Sequence, residues 1–126
     1  MRITGTALRR LIRESVGAES AIARLDDAFT SLTQSVAVDP AVGPFVGRGR
    51  PITLGFTTMQ GALTAMEAFR DGGPAGPALE GLEAAIGHLT PVADSTGSER
   101  LLDAIDALRD ASEAASLAAY TRSSGR

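Results

Sequence analysis

From Ala18 onward, apolar side chains recur as Ala18, Ile22, Leu25, Phe29, Leu32 and Val36, at spacings of 4, 3, 4, 3 and 4. This is the seam of an amphipathic helix, sustained over nearly three heptads. Upstream, Leu8, Leu11, Ile12 and Val16 form a shorter stripe, and Thr4 and Thr6 are placed to cap a helix starting near Ala7. A lone internal glycine costs about 1 kcal/mol relative to alanine. The pattern therefore favours one long helix over about residues 7 to 36, bent at Gly17, over two helices divided there. Asp39-Pro40 ends it.

Residues 37 to 54 hold three Pro and three Gly and show no helical period. The alternation Ile52-Thr53-Leu54 suits a short extended piece, and Val42, Phe45 and Val46 are apolar residues stranded in this loop. Periodicity then resumes. Phe56, Met59, Leu63, Met66 and Phe69 predict a helix stopped by Asp71-Gly72-Gly73-Pro74. Pro77 suits the first turn of the next, which carries Leu79, Leu82, Ile86 and Leu89 and is expected to end at Pro91. Thr96 and Glu99 match a capping box, opening a helix through Leu101, Leu102, Ile105 and Leu108 to about Tyr120. Residues 121–126 are polar and are expected to fray. The whole predicts an all-α chain: an antiparallel bundle of four to five amphipathic helices with one long Gly/Pro-rich loop, residues 1–120 forming one domain.

Composition sharpens this picture. The 126 residues include four Phe, one Tyr and no Trp, so Leu, Ile, Val, Met and many Ala must build the core, which favours close helix packing. The absence of Cys excludes disulfides, thiolate metal sites and a cysteine nucleophile. No apolar run approaches a membrane span, and the N-terminus lacks the apolar stretch of a secretory signal, so an intracellular or virion location is expected.

All twelve basic residues are Arg. Residues 1–50 carry seven Arg against five acids, residues 51–126 five Arg against ten. The basic excess sits at the start, where Arg9, Arg10 and Arg13 lie opposite Leu8, Leu11 and Ile12, a surface able to meet an acidic partner. In the last helix Asp103, Asp106, Asp110 and Glu113 recur at spacings of 3, 4 and 3 on one sector. A straight helical face rarely wraps a metal ion without loop ligands, so these acids are read as a solvated face or as an electrostatic partner for the basic helix, in cis or across a subunit contact.

Arg48-Gly49-Arg50-Pro51 is the tetrapeptide with which AT-hooks enter the DNA minor groove. It occurs once, beside Phe45, Val46 and Ile52, in an acidic chain, and the expectation is a surface turn. His88, the only histidine, has no catalytic partner nearby in sequence, and there is no nucleophile elbow, phosphate loop or dinucleotide fingerprint.

The opening Met1-Arg2-Ile3-Thr4, with Leu8-Arg9-Arg10-Leu11-Ile12-Arg13-Glu14, resembles the start of many small proteins of tailed bacteriophages, some of them virion-associated. After Glu14 this chain turns to Ser15-Val16-Gly17, where those openings commonly add acids. The resemblance carries no active-site residue. It implies a phage or virion setting and an assembly contact for the first helix. The resulting expectation is a non-enzymatic structural or assembly protein, without cofactor or metal. Its contacts would be Arg9, Arg10, Arg13, Val42, Phe45 and Val46, and its partners copies of itself or other structural proteins. The alternatives are a DNA-contacting accessory protein using Arg48 and Arg50 together with the basic first helix, and a small adaptor that binds a foreign helix in a groove.

Overall fold

The computed structural model describes the backbone of residues 5–124 and the side-chain surroundings of residues 17–122. Four α-helices account for most of it: α1 (Gly5–Val38), α2 (Pro51–Arg70), α3 (Gly76–Thr96) and α4 (Glu99–Ser124), with a single 3-10 turn at Gly43–Phe45. Among the described residues there is no strand. Each helix packs on the next, and α4 returns to α1, where packing is most extensive.

The first helix is unbroken through Gly17. Its buried apolar positions are Ala18, Ala21, Leu25, Ala28 and Leu32, while Ile22, Phe29 and Val36 are half-buried against the core. The predicted seam is thus used, but its centre is turned toward alanines that leave α4 room to approach. At Gly17 the two helices come close: a Cβ there would stand 2.7 Å from that of Ala118. At the other end Arg100 donates to Gln34 at 2.7 Å, so α1 and α4 run in opposite directions. Phe29 stacks with Phe56, and Arg70 pairs with Glu19 at 3.6 Å, which sets α2 antiparallel to α1. Gly55 meets Leu89 and Gly81 meets Ala62, which sets α3 antiparallel to α2. One continuous core includes Leu25, Met59, Met66, Phe69, Leu82 and Leu108. Its apolar burial, at about 25 cal/mol per Å², supplies the main driving force that no single stripe could supply alone.

Four expectations are corrected. Ile52, Thr53 and Leu54 are the first turn of α2, not an extended piece. Pro51 presets the helical φ at the start, the Leu54 N–H reaches Arg50 O at 2.9 Å, and Ile52 is buried in the core. Pro91 does not end α3, which continues to Thr96. Pro91 and Gly87, the residue whose carbonyl loses its partner, both lie on the exposed side where water can reach them, while Val92 and Ala93 extend the buried seam. His88 therefore stands in the body of α3.

The predicted cap at Thr96 is likewise displaced. Thr96 is the last residue of α3, Gly97 follows in the left-handed conformation at φ 66°, and Ser98 caps α4 by accepting the Leu101 N–H at 3.3 Å. Lastly, Thr121 and Arg122 belong to α4 and do not form a frayed tail. Arg122 is half-buried and donates to Phe69 O and Gly73 O, each at 2.6 Å.

Candidate functional site

The residues singled out in the sequence fall in three places. The side chains of Arg9, Arg10 and Arg13 lie outside the described residues; their positions belong to the first turns of α1.

The second place is the connection from Asp39 to Arg50. The Asp39 carboxylate accepts the Ala41 N–H at 3.1 Å, turning the chain out of α1. Val42 is then fully buried in the chain's own core, Phe45 is half-buried against it, and Val46 keeps 39% of its surface exposed. Val42 is thus spent within the fold and is not available to a partner in this arrangement. The reason is local: the 3-10 turn at Gly43–Phe45 folds the loop back onto the helices.

Arg48 is exposed, whereas Arg50 is committed. Its Nη1 donates to Pro44 O at 2.9 Å, the Gly47 N–H is accepted by Thr53 Oγ1 at 2.9 Å, and Gly49 holds φ 76°, which favours glycine. This is a closed turn leading into α2. To lie along a groove floor the segment would have to give up these bonds and extend.

The third place is the outward face of α4. Asp103, Asp106, Asp110 and Glu113 are all exposed, and the described contacts include one weak ion pair there, Asp106 with Arg109 at 3.9 Å. Among the described residues no three acids or histidines converge on a common point that could hold a metal ion. The same stripe continues at helical spacing into Leu117, 65% exposed, and Tyr120, 71% exposed. Leu117 and Tyr120 thus add apolar surface at the end of an otherwise charged face. The sequence signal for it was present, because 103, 106, 110, 113, 117 and 120 keep the 3, 4 spacing of one helical face. Leu117 and Tyr120 are easily taken for core residues of a helix near its end.

A shallow open recess of about 280 Å³ lies where the α2–α3 turn meets the end of α4, lined by Phe69, Gly73, Pro74, Ala119 and Arg122 among others. Arg122 already serves two carbonyls there and covers the Phe69 ring at 4.1 Å. Among the described residues no helix is long and apolar enough to cross a membrane. Compared with protein-family models, curated proteins and solved structures, the chain matches none.

Proposed function

We propose that this antiparallel bundle, with its Gly/Pro-rich connection, is a non-enzymatic assembly protein that works through helix-mediated contacts with copies of itself or with other structural proteins, in the setting of a bacteriophage particle. The observation that carries the reading is the outward face of α4. It runs four exposed carboxylates into an exposed Leu117 toward the end of the helix, a charged stretch with an apolar end that a partner could cover. The heptad seam of α1 offers less surface, because its residues are buried or half-buried against the chain's own core. Phage context rests on the likeness of the first fourteen residues alone.

Mass determination by light scattering during size exclusion, at low and high salt, tests this reading. A defined oligomer, or a stable complex with a structural partner, is expected. The two-wavelength absorbance ratio is read at the same time, because one Tyr and no Trp make bound nucleic acid conspicuous. A monomer at every concentration and salt, joined by no protein partner, would refute the assembly role. Co-eluting nucleic acid that is lost in an Arg48→Ala/Arg50→Ala variant would move the assignment to the DNA-contacting alternative.

A further inference from the structure

We infer that the bundle is built to open from one end: α1 with α4, and α2 with α3, separate as two rigid pairs hinged at Gly97, and Arg122 is the clasp that holds the far end shut. Such an opening is independent of the assembly role proposed above.

The chain joins the two pairs at one end only. Residues 39–50 lead from α1 to α2, and Gly97-Ser98 lead from α3 to α4; with neighbouring helices antiparallel, both connections lie at the same end. The remaining connection, residues 71–75, is at the far end but stays within the α2–α3 pair. Packing divides the same way, being most extensive between α1 and α4 and next between α2 and α3. The close approaches that glycine permits also fall inside the pairs: Gly17 on Ala118, Gly55 on Leu89 and Gly81 on Ala62. Ser98, which caps α4, lies 3.4 Å from Ser35 of α1, so it travels with that pair and leaves Gly97 as a pivot. A hinge needs only a few such residues at the ends of elements.

The apolar grip between the pairs weakens away from this hinge. Near it, α1 and α4 bury Leu32, Leu101 and Ile105. Beyond Leu25 and Leu108, toward the far end, every fully buried position of these two helices among the described residues is alanine, with Ile22 half-buried. Apolar attraction scales with the area covered, so less of it holds the far end together. Polar contacts stand in its place. Arg122 of α4 donates to Phe69 O and Gly73 O of the other pair at 2.6 Å each and covers the Phe69 ring at 4.1 Å. Glu19 of α1 meets Arg70 of α2 at 3.6 Å, but exposed ion pairs contribute little. The open recess of about 280 Å³ lies on the same boundary, with Phe69, Gly73 and Pro74 on one side and Ala119 and Arg122 on the other. The pairs are thus incompletely joined where Arg122 bridges them, and its release uncovers the Phe69 ring and begins their separation.

Distances between paired spin labels test this, and the lack of native Cys leaves the labelling sites unambiguous. Three pairs of exposed positions are labelled. Glu80→Cys/Ser116→Cys spans the pairs at the Arg122 end, Asp94→Cys/Asp103→Cys spans them at the Gly97 end, and Ser20→Cys/Ser116→Cys lies within the α1–α4 pair. Each is measured with Arg122 intact, with Arg122→Ala and with Arg122→Lys, and helix content is checked by circular dichroism. Loss of even one charge-assisted hydrogen bond is expected to raise the open population at least about tenfold. A state about 1% populated in wild type then becomes a resolved longer distance for Glu80→Cys/Ser116→Cys in Arg122→Ala. The other two distances are expected to stay unchanged, and Arg122→Lys to show a smaller long-distance component. A Glu80→Cys/Ser116→Cys distance unaffected by Arg122→Ala would overturn the clasp. Broadening of all three distances together would overturn the hinge, because it reports general loosening. Should Arg122→Ala not fold, Arg122→Lys decides by the same criteria.

Discussion

Arg122 lies over Phe69 with its guanidinium carbon 4.1 Å from the ring centroid, and the same side chain donates to the Phe69 carbonyl at 2.6 Å and the Gly73 carbonyl at 2.6 Å. A residue near the end of α4 thus bridges the last turn of α2 and the loop that follows it, and places positive charge where the helix dipole is negative. Charge-assisted hydrogen bonds to partly buried groups are worth about 1.5–3 kcal/mol. Arg122→Ala is therefore expected to lower unfolding stability by about 2 kcal/mol in urea titration. Arg122→Lys should recover less than half of the loss, because one ammonium cannot reproduce the two-pronged contact or the ring stacking.

Glycine replacements should change sign with location. At Gly81 a Cβ would stand 2.9 Å from the Ala62 Cβ and 3.1 Å from its Cα, so neither partner can rotate away. Overpacking of this kind costs about 1–3 kcal/mol, which exceeds the roughly 1 kcal/mol that alanine gains over glycine in a helix. Gly61 faces open space, and Gly61→Ala meets nothing. Thermal melts should show Gly81→Ala less stable than wild type and Gly61→Ala more stable. Stabilisation by Gly81→Ala would mean that α2 and α3 are farther apart than described.

The start of α4 offers a choice between two neighbouring hydroxyls. Ser98 is 5% exposed, accepts the Leu101 N–H and lies 3.4 Å from the hydroxyl of buried Ser35. Thr96 donates back to Val92 O at 2.8 Å within α3. Ser98→Ala should cost about 1–2 kcal/mol, the usual loss for an N-cap, and Thr96→Ala distinctly less. Equal losses would return the cap to Thr96.

Val42 and Val46, four residues apart in one connection, should respond in opposite ways. Val42 is fully buried, so Val42→Ala leaves a cavity and is expected to cost about 2 kcal/mol. Val46 is 39% exposed, and Val46→Ser should leave the denaturation midpoint within about 0.5 kcal/mol of wild type.

Much of this architecture was legible in the order of apolar residues, and the misses have physical causes. Heptad spacing located α1 and its continuity through Gly17, because a strong seam outweighs one glycine. It did not locate the face that α4 covers, since Ala21 and Ala28 are too small to dominate a hydrophobic pattern although both are fully buried. Pro91 was overread as a stop. Its cost falls on the solvent side of α3, where the sequence gives no hint of facing. Of the candidate contact residues, the arginines of the first helix could be found by charge alone. Leu117 could not be separated from a core leucine, because sequence periodicity gives a stripe but not the direction in which it points.

The most extensive packing joins the first helix to the last, with Gly17 against Ala118 and Ser35 beside Ser98. A polypeptide leaving the ribosome therefore holds α1 without its main cover until α4 has been made, whereas α2 and α3, joined by a short turn, can dock earlier. Translation sets the order of closure, and a chain truncated before Ala118 should be the aggregation-prone form in the cell.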